Sequence, residues 1–344
     1  MTPSDEHDVD PVDLVDRSRL RDFLEPLVGL GPDLTIEVLS GGRSNLTYLL
    51  RSGSAEYVLR RRPIGAEVKG AHDMAREFRV QQALQATAVP LARVYGFCAD
   101  ETVMGAPFYA MSRVAGSVFH RRSDVADLSA EQSRALSEAV IDTLDILHRV
   151  DYAAVGLRDL GRPEGFVRRR IGRWLEQYRS GRHRDHDLIE PLGERLAASI
   201  PSRNDSTLIH GDFRLGNMIV RADSPAPVTA VLDWEMSTLG DPLTDLAHLL
   251  VYWDRTCGRL THDSQSIAEH AGFLHSEDLV ARYQARSGRD LTPLPFYLAF
   301  EHWRAAIIKE GIYQRALRSG EAEGVEMGAT VAVHLEEAAE ILGS

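Results

Sequence analysis

Cysteine is scarce in this 344-residue chain: Cys98 and Cys257 stand far apart, and no CxxC pair occurs. That scarcity excludes a disulfide framework and a cysteine-rich structural zinc site, and makes a reducing compartment the default. Long apolar runs are missing as well. Stretches such as LAHLLVYW fall far short of the ~20 residues needed to span a bilayer as a helix. Positive charge is in deficit, with 39 Lys and Arg against 51 Asp and Glu and a net charge of −12. Nucleic acid and anionic membranes both call for clustered positive charge, so neither is an expected partner. The acidic opening MTPSDEHDVDPVDLVD has no apolar h-region, so no secretory signal is expected and the expected location is cytoplasmic. A GxxxxGK[ST] phosphate loop is also absent.

What is present is ordinary globular usage, 44% hydrophobic and 26% charged, over a length that suggests about two domains. Residues 1–11 are expected to be a disordered acidic arm. VDLVDRSRLRDFLEPLVGLG then shows helical spacing and stops at glycine. LTIEVLS, NLTYLLR and EYVLRRR read as strands separated by the turns GGRS and SGSA. Helical period returns over 69–86, followed by the extended runs ARVYGFC and APFYAMSRV with an acidic turn between them. After Gly116 the texture changes. SAEQSRALSEAVIDTLDILHRV is a long amphipathic helix, with Ser129 and Gln132 fitting a capping box. Two more helices are expected over 163–200, a short extended island over 207–233 with RADSPAP as its turn, and mostly helix from Pro242 onward. No internal repeat appears. The organisation is α+β: residues 1–114 form a small strand-rich nucleotide-binding lobe, and 115–344 a helical lobe with a β-hairpin insert, catalytic loop and acceptor site. Unlike lobes joined by a short hinge are expected to leave a cleft suited to a small ligand.

The stretch HGDFRLGNMIV packs His210, Asp212 and Asn217 together, and VTAVLDWE then ends an apolar run on Asp233. Any one of these could be a turn residue. Phosphoryl transfer, however, needs Mg²⁺ on the phosphate oxygens, groups to hold that metal, and a base aligned with the acceptor hydroxyl. Mg²⁺ prefers oxygen ligands, which Asn217 and Asp233 would supply, leaving Asp212 to accept a proton. The offset of five residues from Asp212 to Asn217 repeats the H-R-D-x-x-x-x-N pattern of kinase catalytic loops. Asp233 closes its strand as the aspartate of a D-F-G element does.

HGDFRLGN followed by VLDWEMSTLGDPLTDLA resembles the aminoglycoside phosphotransferase and choline kinase family. The likeness is greatest to the branch found fused to, or beside, acyl-CoA dehydrogenases. SGGRSNLTY, YVLRRRP, EFRVQQAL, PFYAMSRVAG and LHRVD follow that branch in the same order, so the resemblance runs from about residue 34 to 318. It implies a two-lobe protein-kinase-like fold, with a small antiparallel sheet and one main helix in the first lobe. It further implies Asp212 as base, Asn217 and Asp233 on Mg²⁺, residues 41–48 as the nucleotide loop, and Asp245 as a brace for the catalytic loop.

Single residues keep a plainer reading beside the functional one. Gly41, Gly42, Ser44 and Asn45 either cradle a phosphate or merely turn a hairpin. Arg60 stands where a kinase carries lysine, a departure that substitutes a planar fork for a compact charge. Glu77 would orient it, or else pair locally with Arg76 or Arg79. Strand alternation puts Arg60 and Arg62 on one face and Arg61 on the other, leaving open which meets phosphate. Met111, Ser112 and Arg113 could present backbone to an adenine edge or simply end a strand. His210 is expected to prop the loop through a carbonyl, and His148 to be packed or capping. Glu235 is a third acidic ligand or a salt-bridge partner. Arg304 and Tyr313 line an acceptor pocket or pack in the core.

The expected activity is transfer of the γ-phosphate of ATP (or GTP), with Mg²⁺, to a hydroxyl of a small metabolite such as a hydroxyacyl compound. The chain would act as a monomer or homodimer. Rivals are an aminoglycoside-modifying phosphotransferase, a nucleotide-binding module without catalysis, and a metal-dependent phosphohydrolase built on His210, Asp212, Asp233 and His248.

Overall fold

A computed structural model describes residues 15–41, 45–63, 73–181, 184, 186–202, 205–253, 267–320 and 322–343. The expected disordered arm, and Gly42 and Ser44 of the expected nucleotide loop, lie outside the described residues. The chain divides into two compact units. One comprises residues 1–87, 91–115 and 233–235; the other takes 88–90, 116–232 and 236–344. The expected boundary at 114/115 thus falls one residue later, and Asp233, Trp234 and Glu235 join the first unit rather than the helical one.

The first unit begins with α1 (Arg17–Val28), opened by Asp16, which accepts from the amides of Ser18 and Arg19, and closed by Gly29 in the left-handed region. Five antiparallel strands follow: β1 (Leu34–Gly41), β2 (Leu46–Ser52), β3 (Ala55–Arg61), β4 (Val94–Cys98) and β5 (Phe108–Ser112), in the order β1-β2-β3-β5-β4. Between β3 and β4 runs α2 (Met74–Leu84), capped by Asp73. The expected acidic turn before β5 is instead the short helix α3 (Glu101–Met104), with Asp100 capping one end and left-handed Gly105 the other. Strand alternation sorts the side chains into two cores. Tyr48, Leu50, Tyr57, Leu59, Phe108 and Ala110 pack with Leu20 and Leu24 of α1 and Met104 of α3. Val58, Tyr109 and Met111 pack with Met74 and Phe78 of α2. Arg60 is therefore on the α2 side.

The second unit opens its helices with α4 (Ala130–His148), where Ser129 and Gln132 cap one another at 3.2 and 3.0 Å. Next come α5 (Phe166–Ser180) and α6 (Ile189–Ala198). Two strand pairs follow, β6 (Thr207–Ile209) with β9 (Thr238–Gly240) and β7 (Met218–Val220) with β8 (Val228–Val231). Strand β9 has three residues, too few to show alternation in the sequence. The remaining helices are α7 (Leu243–Trp253), α8 (Ser276–Ser287), α9 (Leu294–Ser319), α10 (Ala322–Met327) and α11 (Thr330–Gly343). Helix α9 is buried over most of its length and packs on α5, α6, α7, α10 and α11.

Near the end of α9, Glu310 is fully buried and accepts from the Arg184 amide at 3.0 Å, its guanidinium at 2.7 Å, and His186 at 3.0 Å. Burial alone would raise this carboxyl, but the Arg184 bonds outweigh it and hold it down at about 2. A folded value below the ordinary 4.5 stabilises the fold above pH 4.5, and that stability is lost as pH falls toward 2. Because Arg184 is 39% exposed, Glu310→Gln is expected to cost a discounted ~1–3 kcal/mol at pH 7. Denaturant titration at pH 7 and pH 3 should show the difference shrinking in acid; an equal loss at both would contradict the ion pair.

Candidate active site

In the second unit, one buried carboxylate organises the HGD segment. Asp245, on the first turn of α7, accepts from the backbone amide of His210 at 2.6 Å and of Gly211 at 2.8 Å. His148 of α4 approaches the same carboxylate at 3.4 Å and bonds Tyr283 of α8 at 2.7 Å. Burial pushes the Asp245 carboxyl up, yet the His148 bond and the neighbouring amides bring it below the ordinary range. His210 accepts from the Asp212 amide at Nδ1 (3.2 Å) and meets the Leu232 carbonyl at Nε2 (2.9 Å). Leu232 also donates to the Asn217 carbonyl at 2.8 Å, so both backbone groups of the residue before Asp233 are tied to this loop. Gly211 has φ +85°, and a Cβ there would stand 2.7 Å from the Met236 carbonyl, so glycine is required.

Asp212 is held from both sides. Asn217 donates through Nδ2 to its carbonyl at 2.8 Å and to Oδ2 at 2.7 Å. His248, one turn beyond Asp245 on α7, meets Oδ1 at 2.8 Å, and Arg214 lies 3.6 Å from the same oxygen. On its other nitrogen His248 has Glu301 at 3.1 Å and Arg304 at 2.6 Å, and Glu301 is paired with Arg304 at 2.6 Å. That nitrogen serves one neighbour at a time: a charged ring donates to Glu301, while a neutral ring accepts from Arg304. In both states Nε2–H faces Asp212. Burial lowers His248, but the two carboxylates prevail and raise it above its ordinary value. Burial likewise pushes Asp212 up, and the His248 bond, its charge and Arg214 overcome that and hold the carboxyl well below the usual carboxylate range. Its side chain remains 31% exposed, so an ionised oxygen is accessible.

In the first unit, Arg60 reaches Glu77 of α2 at 3.2 Å and Asp233 at 2.6 Å. Tyr109 donates to Glu77 at 3.1 Å and accepts from Gln81 at 2.9 Å. Burial raises the Glu77 carboxyl, with Arg60 opposing it. Arg61 turns the other way onto the Tyr48 hydroxyl at 2.8 Å, and Arg62, beyond the strand end, pairs with Glu101 at 3.1 Å. Alternation therefore stops at Arg61, and Arg62 does not share the Arg60 face. Asp233 has φ 64°, the one non-glycine residue in the left-handed region among those described. Asn45 donates to Glu235 at 3.2 Å.

The remaining expected residues are scattered. Gly41 pairs with Leu46 in the sheet, Met111 is buried in the α2-side core, and the exposed Arg113 pairs with Glu56. Arg304 is buried in the Asp212 network. Tyr313, nine residues further along the same helix, lies on the opposite side of it at about 100° per residue. There its ring stacks under Arg184, 4.0 Å from the centroid. Sequence reasoning missed His148 and Glu301 as supports, and considered His248 only as a metal ligand.

Among the described residues no three His, Cys, Asp or Glu side chains gather to hold a metal. Asn217 commits its amino group to Asp212, leaving its Oδ1 without a protein partner among the described residues, and Asp233 binds Arg60 through Oδ1 alone. A carboxamide oxygen and a carboxylate oxygen are each of the donor type that Mg²⁺ accepts.

A five-stranded antiparallel sheet with its helices, and a helical unit carrying the braced HGD loop, define the kinase-like phosphotransferase fold. The chain belongs to the phosphotransferase enzyme family, whose model matches residues 35–293. Acyl-CoA dehydrogenase family member 11 of Mus musculus is 36% identical over 91% of the chain, and that of Homo sapiens is likewise 36% identical over 91%. The chain spans only 41% of the length of these relatives. Among solved structures, a Ralstonia eutropha JMP134 protein named for the aminoglycoside phosphotransferases is 30% identical, with TM-score 0.82 over 95% of this chain and 98% of that one. An aminoglycoside phosphotransferase solved with GDP and kanamycin, 14% identical, shares the fold at TM-score 0.63 over 94% of this chain and 99% of that one. Among the described residues no helix is long and apolar enough to cross a membrane.

Asp245→Asn keeps the size of the brace but turns one oxygen into a donor facing an amide N–H. A loss of at least ~2 kcal/mol in denaturant titration is expected. A change within ~0.5 kcal/mol, the scale of ordinary surface substitutions, would contradict the bracing role.

Proposed function

We propose that the chain transfers the γ-phosphate of ATP or GTP to a hydroxyl on a small metabolite, a hydroxyacyl compound. The observation that carries this reading is the clamped, ionised and accessible carboxylate of Asp212. Asn217 holds one oxygen and His248 the other, and each oxygen keeps a lone pair for an acceptor hydroxyl. A carboxylate this far below neutral is a weak base. That suits a loose transition state, in which the nucleophile gives up its proton late. Asp212 then orients the hydroxyl and takes its proton as the new P–O bond forms and the bond from the γ-phosphorus to the β-phosphate oxygen breaks, releasing ADP or GDP.

Asn217 and Asp233 are the residues that would supply oxygens to Mg²⁺. When bound, that ion neutralises charge on the β- and γ-phosphates. Arg60, oriented by Glu77, offers its positive fork to the phosphates. Gly41, Gly42, Ser44 and Asn45 would line the nucleotide loop, with Met111 and Arg113 at the adenine side. Neighbours solved with GDP or with ADP support a nucleotide ligand. An aminoglycoside acceptor draws support from the names of the structural neighbours. Arg214, 3.6 Å from Asp212, has the wrong sign for a polycation.

Asp212→Ala is expected to leave Mg·ATP affinity within about threefold, by calorimetry, and to lower transfer by at least ~10³-fold. Turnover equal to the wild type would remove Asp212 from the chemistry.

A further inference from the structure

Arg170, early in α5, stands apart from other arginines of its unit that lie against buried or half-buried carboxylates. Arg304, Arg184 and Arg289 each face a carboxylate, Glu301, Glu310 and Asp205 respectively. Arg170 has no hydrogen bond and no ion pair among the described residues. Its Nε is sealed from solvent without an acceptor, and that sealing does not extend to its terminal nitrogens. One face of the guanidinium lies over the Phe166 ring, 5.5 Å from the centroid. Its charged neighbours at longer range are Arg304, Glu301, Arg173 and Asp245. The two carboxylates are already committed: Glu301 to Arg304 and His248, and Asp245 to two backbone amides and His148. Arg170 is thus an excess cation beside the network that holds Asp212. Burial and the Arg304 charge push it down to about 10, so it remains charged at neutral pH.

A largely buried charge without a direct ion-pair partner is costly, and the Phe166 ring and the more distant Glu301 and Asp245 carboxylates offset only part of that cost. A ligand anion would offset the rest. A planar fork with its terminal nitrogens accessible fits a carboxylate or phosphate through two parallel bonds. We propose that Arg170 binds an anionic group of the acceptor, which makes the substrate a hydroxy acid or a hydroxy phosphoester rather than a neutral or polycationic alcohol. This rests on the acceptor reading above: Arg170 takes the anion, while Asp212, reached through Arg304 and His248, takes the hydroxyl.

The test is calorimetric titration with Mg²⁺ and a non-hydrolysable ATP analogue saturating, so that the nucleotide occupies its own site. One pair of probes is 3-hydroxybutyrate and 1,3-butanediol; the other is glycerol 3-phosphate and glycerol. The wild type is expected to bind the anionic member of at least one pair tenfold or more tightly than its neutral match. Which pair responds tells carboxylate from phosphate. Arg170→Met should bring that ratio to about one, with Arg170→Lys in between. Its melting temperature should hold or rise, since an unpaired buried charge has gone; a purely structural arginine would lower it. Equal binding of anion and alcohol in both pairs overturns the proposal, as does a Met variant that still discriminates. If the anion preference is present but phosphate is never transferred, the kinase reading fails and the anion site stands.

Discussion

Everything proposed for the catalytic loop depends on two backbone N–H groups finding one carboxylate. His210 and Gly211 present their amides inside the protein, where an unpaired donor is costly, and Asp245 takes both. Because Asp245 sits on the first turn of α7, the loop is fixed to a helix rather than to another loop. The same helix, one turn later, carries His248 to Asp212. A single rigid element therefore sets both the path of the backbone and the direction of the Asp212 side chain. His148 and Tyr283 anchor it from α4 and α8.

The first unit has a comparable device at smaller scale. Arg60 pairs with Glu77 and Asp233, and Asp233 adopts a left-handed backbone that aspartate tolerates better than most residues. Arginine at this position, where lysine stands in protein kinases, can serve two carboxylates at once through separate nitrogens. The departure therefore does not by itself argue for a module without catalysis. The fork gives Arg60 a defined orientation within the sheet-and-α2 layer.

Much of this was legible in sequence because its signals are local. The Asp212-to-Asn217 offset, the alternating strands and the Ser129–Gln132 capping box all lie within a few residues. The segment before β5 read only as an acidic turn, because the four-residue helix α3 there is too short to show a period. The supports of Asp212 were not legible. His148, His248 and Glu301 reach their partners across long stretches of chain, and only the i, i+3 spacings 245/248 and 301/304 hinted at shared faces. Alternation placed Arg60 and Arg62 on one face, but it could not show that Arg62, beyond the strand end, turns to Glu101 while Arg60 meets Glu77. Tyr313 was grouped with Arg304 although helical geometry sets the two on opposite sides of α9.

The most direct measurement is incubation of the wild-type protein with γ-labelled ATP and Mg²⁺, and separately with the metal chelated, against pooled aminoglycosides, amino alcohols, sugars and hydroxy acids. The account predicts label on the hydroxyl of a hydroxy acid or a hydroxyacyl compound, and none when Mg²⁺ is removed. Label confined to an aminoglycoside would contradict the acceptor assignment. Bound Mg·ATP with no labelled product from any pool would contradict the kinase itself.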